Sequence, residues 1–142
     1  MKIIIHGGFF SESSTSRETK IEKQEALLKI VKDAYAYLNT HSAIETVVYA
    51  VSLLEDNELF NAGIGSQIQA DGVIRMSAAL MDGSTQKMSG VINIEGVKNP
   101  IQVAEKLLSY DDKVLGGKCA TKFARKNGFG KFSTEIPQRR LV

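Results

Sequence analysis

The sequence predicts one α+β domain in which helices cover a β-sheet. Two long segments in the first half carry apolar residues at helical spacing, two runs near the middle are rich in strand-forming residues, and two more helical segments follow. Hydrophobic residues make up 43% and charged residues 24% of the 142 positions, as in an ordinary globular chain. This length fits a single domain that can bury a core.

Composition excludes several classes of protein. A formal net charge of +2 is too small to predict binding to nucleic acid or to an anionic membrane. One cysteine, Cys119, and two distant histidines predict neither a disulfide nor a zinc site, and no segment predicts an organic cofactor. No apolar run approaches the roughly 20 residues of a membrane span. We therefore expect a cytoplasmic protein.

The first half predicts two consecutive helices. Thr19 and Glu22 have the spacing of a capping box, and helical periodicity continues from there to about Leu38. Ser42 and Glu45 repeat the capping-box spacing immediately before a second apolar stripe. A helical hairpin follows from this pattern.

The strand signals predict a sheet with unpaired edges. The apolar run Ile3-Ile4-Ile5 stops at Gly7-Gly8, as a buried strand does before a tight turn, which predicts a strand at 2–6. Two further strands are predicted at about 73–81 and 88–95, joined through the turn residues 82–84. No strand signal follows them, so the sheet keeps open edges unless more chain supplies strands. By this criterion the domain is incomplete.

The C-terminal part predicts two helices and a polar tail. Asn99 is a suitable N-cap with Pro100 at the first helical position, and that helix should run for about ten residues. A last helix should begin near Gly117 and end at Gly128, which suits a left-handed C-cap. The segment 130–142 has no periodic pattern.

A polar loop at 54–66 follows the second predicted helix. Leu59 and Phe60 would anchor it inward. Its backbone carbonyl groups need partners, and a hard cation such as sodium or potassium is one solution, with ordered water as another. The alternative is an ordinary turn in which Phe60 fills the core, and composition does not decide between them.

Several short motifs are too weak to predict a function on their own. The segment 63–65 begins like a dinucleotide fingerprint but lacks the third glycine. The segment 6–8 is similar to an esterase oxyanion loop, yet the chain has no Gly-x-Ser-x-Gly elbow. We expect His41 to be a polar residue at a helix end and Asp82 to be a turn residue.

Ordered segments between about residues 3 and 124 resemble the α subunit of plant-type L-asparaginases and isoaspartyl peptidases, which belong to the N-terminal nucleophile hydrolases. The order and spacing of these segments make the resemblance much stronger than any single motif. The matching segments are Ile5-His6-Gly7-Gly8, Glu45-Thr46-Val47-Val48, Leu54-Glu55, Leu59-Phe60-Asn61-Ala62-Gly63-Ile64-Gly65-Ser66, Leu80-Met81-Asp82-Gly83, Val97-Lys98-Asn99-Pro100-Ile101 and Phe123-Ala124.

The resemblance implies a four-layer αββα sandwich that is complete only with a second chain, the β subunit cut autocatalytically from the same precursor. In that family the N-terminal threonine of the β subunit is the nucleophile, and two αβ pairs form an (αβ)2 assembly. The implied reactions are hydrolysis of L-asparagine to L-aspartate and ammonia and cleavage of β-aspartyl dipeptides. Residues 1–129 would be the α half of the domain, and 130–142 the start of the linker to the cleavage site.

The resemblance also implies roles for three sets of residues. Asn61 matches an asparagine that supports the geometry of the nucleophile. His6, Gly7 and Gly8 match a glycine-rich loop near the active site. Six residues match positions whose main-chain oxygens bind a structural sodium ion: Leu54, Glu55, Asn57, Phe60, Ala62 and Ile64.

The chain departs from the family pattern at a few positions. Phe9-Phe10 replaces the usual Ala-Gly after the two glycines, Ser77 replaces a common Asp, and Ser89 replaces a usual Ala. The segment 111–114 lacks the histidine seen in many members, which argues against potassium-dependent regulation through this region. Two other functions stay open on the sequence: a related threonine hydrolase acting on glycosylated asparagine, and a non-catalytic homologue that binds amino acids or serves as a structural subunit.

Overall fold

A computed structural model of the chain describes residues 1–8 and 17–133. Helices and a small sheet alternate in this part of the chain, which confirms the mixed α+β class. None of the described helices combines the length and apolarity needed to cross a membrane. In chain order the elements are α1 (Arg17–Leu38), α2 (Ala43–Glu55), a 3-10 turn (Gly63–Gly65), β1 (Met76–Asp82), β2 (Lys87–Ile94), α3 (Pro100–Leu107), β3 (Val114–Gly116) and α4 (Gly117–Lys126).

The first predicted strand is wrong. Residues 1–8 belong to no strand in the described part of the chain, and the Ile4 side chain is 95% exposed. Branched side chains favour extended backbone, but a strand also needs a neighbouring strand to bond with. The sheet of the described residues consists of β1, β2 and β3 and does not include this segment.

The helical hairpin forms as predicted, with one correction at its start. Helix α1 begins at Arg17, so Thr19 lies inside the helix and its predicted capping box with Glu22 is wrong. Arginine and glutamate are good helix formers, and Arg17 and Glu18 extend the helix upstream of Thr19. The second capping box is confirmed. The Ser42 N–H donates to Glu45 Oε2 at 2.8 Å, and the Glu45 N–H donates to Ser42 Oγ at 3.3 Å.

β1 and β2 form the predicted antiparallel hairpin. β1 begins at Met76, three residues later than predicted, because Met76 pairs with Ile94, the last residue of β2. At the turn, Asp82 Oδ1 accepts a hydrogen bond from the Ser84 N–H at 3.0 Å. The turn role of Asp82 is confirmed.

β3 is a strand that the sequence did not predict. It pairs in parallel with β2, aligning Gly90 with Val114 and Ile92 with Gly116. Three residues are too few to produce a periodic pattern, so pairing rather than propensity defines this strand. The sequence predicts no strand after β2, and β3 shows that this expectation is wrong. One edge of β2 is therefore paired.

The two serines that depart from the family pattern both have structural partners. Ser77 Oγ accepts a hydrogen bond from the Asn93 N–H at 3.1 Å, beside a β-bulge where Asn93 has a φ of 54°. Ser89 is fully buried and donates from Oγ to the Ala104 carbonyl oxygen at 2.6 Å. The second bond ties α3 to the sheet.

Helices cover one face of this sheet. Helix α3 packs against β1 and β2, helix α4 packs against β2 and β3, and α2 packs between α1 and α3. The core therefore lies between the sheet and the C-terminal helices. Its fully or almost fully buried apolar residues include Leu80, Val91, Ile94, Val97, Ile101, Val103, Ala104, Leu107, Ala120 and Ala124.

The opposite face of the sheet is apolar and exposed. Met81 and Met88 face each other across the hairpin and are 67% and 50% exposed. Ile92 and Val114 extend the same surface and are each 49% exposed. Exposed apolar side chains grouped on one face of a sheet are typical of a surface on which another part of a protein packs. We refer to these four residues as the open sheet face.

Helix α4 ends as the sequence predicts. Gly128 has a φ of +85°, the Phe129 N–H donates to the Ala124 carbonyl at 3.1 Å, and the Gly128 N–H donates to the Arg125 carbonyl at 3.2 Å. This is the Schellman arrangement. The Arg125 guanidinium adds bonds to the carbonyl oxygens of Phe129 and Gly130, at 3.0 and 2.9 Å. The chain path after α4 is thereby fixed.

We predict that Gly128→Ala lowers the free energy of unfolding by about 1 kcal/mol, because a side chain disfavours the left-handed conformation. Gly130→Ala is the matched control, since an added Cβ meets nothing within 4 Å at either glycine and only Gly128 has a positive φ. Urea denaturation of the complete protein measures both. Equal effects of the two substitutions would contradict the assigned C-cap.

Candidate functional site

The loop after α2 folds back on itself. Asn57 Oδ1 accepts a hydrogen bond from the Leu59 N–H at 2.9 Å, and the Asn57 carbonyl accepts one from the Phe60 N–H at 3.2 Å. The Phe60 side chain is only 3% exposed. The prediction that Phe60 anchors the loop inward is therefore confirmed.

Two glycines let the main chain of this loop pack tightly. A Cβ at Gly65 would lie 2.0 Å from the carbonyl oxygen of Phe60, 2.9 Å from that of Glu58 and 3.1 Å from that of Asn57. A Cβ at Gly63 would lie 2.1 Å from the Glu55 carbonyl oxygen, and Gly63 also has a φ of +52°. Neither position has room for a side chain, so the loop geometry requires glycine at both.

The same geometry concentrates carbonyl oxygens. Three of them lie within 3.1 Å of the single point where a Cβ of Gly65 would be, and two of the three belong to the predicted sodium ligands Asn57 and Phe60. The third belongs to Glu58, which is not among the predicted sodium ligands. Neutral main-chain oxygens are suitable donors for a hard cation. The donor chemistry of the loop therefore fits a sodium ion.

Asn61 lies on the exposed surface of this loop. Its side-chain oxygen Oδ1 accepts a hydrogen bond from the Gln67 N–H at 2.9 Å. This bond closes the loop across the 3-10 turn and orients the amide, so that the amide nitrogen points away from Gln67. The described contacts give Asn61 a structural role, and they leave its predicted role at the nucleophile a prediction.

The His6-Gly7-Gly8 segment lies against the same loop. A Cβ at Gly7 would be 2.9 Å from the Leu27 side chain on α1 and 2.9 Å from Phe60 Cε1. His6 Nδ1 accepts a hydrogen bond from the Gly8 N–H at 3.3 Å, and Gly8 has a φ of +94°. The segment 6–8 and the loop that carries Asn61, which were predicted to share a site, are therefore adjacent. Phe9 and Phe10 lie outside the described residues.

A buried carboxyl group, which sequence reasoning named only for its main-chain oxygen, lies beneath the loop. Glu55 is 2% exposed, and its Oε1 accepts a hydrogen bond from the Ile101 N–H at 3.0 Å. Burial raises the pKa of Glu55 to about 7, against the opposing effect of the Ile101 N–H. The sequence did carry a signal, because Glu55 continues the apolar stripe of α2 through Val48 and Val51 at helical spacing.

Exposed groups join α2 to the start of α3 beside that carboxyl. Asp56 Oδ1 pairs with Lys98 Nζ at 2.9 Å and accepts a hydrogen bond from Asn99 Nδ2 at 2.9 Å. The Asn99 side chain therefore makes no capping bond to α3, contrary to its predicted side-chain role, although the residue does occupy the N-cap position. The cap is supplied from α2 instead.

The remaining predicted polar residues have structural partners. His41 stacks on Tyr37 with ring centroids 3.5 Å apart, and its Nδ1 lies 3.1 Å from the Tyr37 carbonyl oxygen, which confirms its helix-end position. Hydrogen bonds from Ser84 and Thr85 lower the pKa of Asp82 to about 2. Among residues 1–8 and 17–133, no group of three or more His, Cys, Asp or Glu side chains could hold a metal ion.

The sequence is similar to those of known proteins. A family model described as asparaginase matches residues 1–140. The plant-type L-asparaginase of Pyrococcus furiosus is 42% identical over 139 residues, which cover 97% of this chain and 45% of that protein. An isoaspartyl peptidase/L-asparaginase of Synechocystis is 43% identical over 126 residues, which cover 88% of this chain and 38% of that protein. The isoaspartyl peptidase of Salmonella typhimurium is 35% identical over 138 residues, which cover 94% of this chain and 44% of that protein.

The chain therefore belongs to the family of plant-type asparaginases and isoaspartyl peptidases, as its motifs implied. It spans less than half the length of each of these relatives.

Proposed function

We propose that this chain is the α portion of an autoprocessed amidohydrolase that hydrolyses L-asparagine to L-aspartate and ammonia and cleaves β-aspartyl dipeptides. The observation that carries the proposal is that nearly the whole chain matches less than half of an L-asparaginase. The open sheet face supports it, because two sheets commonly pack through their apolar faces. In the proposed αββα sandwich the remainder of the precursor supplies the second sheet, and two αβ pairs form an (αβ)2 assembly.

The remainder of the precursor also supplies the nucleophile in this proposal. A threonine made N-terminal by autocatalytic cleavage attacks the side-chain amide carbon of asparagine through its hydroxyl oxygen, while its own α-amine takes the hydroxyl proton. The proton passes to the leaving nitrogen, ammonia departs and an ester remains. Water then cleaves the ester, which releases aspartate and restores the hydroxyl. With a β-aspartyl dipeptide the leaving group is the amine of the second residue.

This chain contributes the frame around that nucleophile. Asn61 supports its geometry, and His6, Gly7 and Gly8 form the adjoining loop, in which Gly7 lies against the Phe60 ring. A sodium ion bound by main-chain oxygens of Leu54, Glu55, Asn57, Phe60, Ala62 and Ile64 would supply positive charge that holds the carbonyl groups of the loop together. The ion has no chemical step of its own in the proposal.

The complete reading frame that contains this chain tests the proposal. We expect the purified product to be two chains, the second beginning with threonine in mass spectrometry, and to release aspartate from both asparagine and a β-aspartyl dipeptide. Replacing that threonine by alanine should abolish both cleavage and hydrolysis. An uncut product that is inactive on both substrates would contradict the proposal, and activity confined to glycosylasparagine would assign the related hydrolase instead.

Two substitutions at Asn61 separate its proposed catalytic support from its role in the loop. Asn61→Asp keeps an oxygen for the Gln67 N–H but removes the amide nitrogen, whereas Asn61→Ala removes both. We expect both variants to lower kcat by roughly a hundredfold, the order seen when an oriented donor is lost. Only Asn61→Ala should also lower the thermal midpoint.

Steady-state kinetics and thermal melts of the processed protein measure the two effects. Full activity of Asn61→Asp would show that Asn61 only closes the loop, and it would rule out the proposed catalytic support.

The proposed sodium ion predicts a stability that depends on the cation. An ion that binds only the folded protein stabilises it by about 2.7 kcal/mol at one hundred times its dissociation constant. After exhaustive dialysis, we expect the thermal midpoint to be higher in sodium chloride than in choline chloride at the same ionic strength. Identical midpoints in the two salts would rule out a stabilising sodium site.

A further inference from the structure

The side chain of Glu55 is buried, and the proposed reaction does not use it. Its Oε1 accepts the Ile101 N–H, while its Oε2 is buried without a hydrogen-bond partner in the described part of the chain. A buried polar atom without a partner lowers stability, so packing alone does not account for a carboxyl group at this place.

The bond from Glu55 joins two segments that are 46 positions apart in the sequence. Pro100 has no N–H, so Ile101 offers the first N–H group of α3, and the N-cap residue Asn99 does not accept it. Glu55 therefore acts as the cap of α3 from the last residue of α2. The placement of the end of α2 against α3 depends on this contact.

The main chain of Glu55 is also the surface on which the candidate loop packs. An added Cβ at Gly63 would lie 2.6 Å from Glu55 Cα, so the 3-10 turn of the loop is in direct contact with this residue. Asn61 lies two positions before Gly63, and its side chain is tied to Gln67. A displacement of Glu55 would therefore displace the segment that carries Asn61.

We propose that Glu55 is a positioning residue for the reaction: its carboxyl group, anchored on the first N–H of α3, sets the position of Asn61 relative to the nucleophile. The proposal rests on the proposed function, and it assigns Glu55 no contact with substrate. Glu55 affects the reaction only through its contact with Gly63, which is part of the loop that carries Asn61.

Three variants of the complete, processed protein test this role. Glu55→Ala removes the acceptor, and Glu55→Gln keeps an oxygen for the Ile101 N–H. Asp56→Asn is the matched control, because Asp56 is the neighbouring carboxylate and bonds to the same segment through Lys98 and Asn99.

We expect Glu55→Ala to lower kcat tenfold or more with KM within threefold of the parent. Glu55→Gln and Asp56→Asn should keep kcat within threefold. A Glu55→Ala enzyme with unchanged kcat would overturn the proposal, as would a Glu55→Gln enzyme that loses as much activity as Glu55→Ala.

Hydrogen exchange of the unliganded protein tests the positioning without any assay of activity. In Glu55→Ala we expect the amides of Ile101 and Gln67 to exchange at least tenfold faster than in the parent. The Gly90 amide, which donates to the Lys113 carbonyl oxygen, should be unchanged. If Gln67 exchanges at the same rate in Glu55→Ala as in the parent, the positioning role is overturned, even when the parent is an active enzyme. If the parent itself is inactive, only the proposed function is overturned. If Glu55→Ala does not fold, Glu55→Asp, whose side chain is one methylene shorter, replaces it with the same expected results.

Discussion

The structure depends on a sheet that is buried on one side only. Helices α3 and α4 cover one face, while strand pairing holds Met81, Met88 and Ile92 together on the other. Because strand pairing fixes which face each side chain occupies, these residues cannot turn toward the core. Apolar surface that stays in water loses about 25 cal/mol per Å² of the stabilisation that burial would provide. A second sheet over this face would remove that penalty, and it would also account for a chain that matches less than half of its relatives.

The backbone of the candidate site is closely packed. Gly63 and Gly65 allow the loop to rest on Glu55 and on its own carbonyl groups, and Phe60 fixes it to Gly7. Glu55 then connects the loop to α3, which is itself bonded to the sheet through Ser89. The loop therefore takes its position from the same core that the sheet and helices form. In the proposed enzyme this gives the chain its task, which is to hold in place a nucleophile that another segment supplies.

The sequence predicted the features that depend on neighbouring residues. The capping box at Ser42, the hairpin turn at Asp82 and the C-cap at Gly128 are local, and all three are confirmed. The capping box at Thr19 is a local error, because α1 begins upstream of it at Arg17. The other errors concern partners distant in sequence. The strand at 2–6 has no neighbour in the described sheet, and β3 exists only because β2 pairs with it.

The candidate site divides in the same way. The family motifs placed His6-Gly7-Gly8 and the loop of Asn61 in one site, and the structure brings these two segments together around Phe60. The cap that Glu55 provides to Ile101 depends on how α2 meets α3, and no local pattern encodes that meeting. Its only trace in the sequence is a charged residue on an apolar helix face.

Methionine oxidation offers the most direct measurement of whether the open sheet face is covered. Met76 is 5% exposed in the described structure, whereas Met81 and Met88 are exposed. In the complete, processed protein treated with peroxide, we predict that Met81 and Met88 oxidise as slowly as Met76 and become fast only after denaturation. Rapid oxidation of both residues in the native protein, with Met76 protected, would show that no second sheet lies on this face.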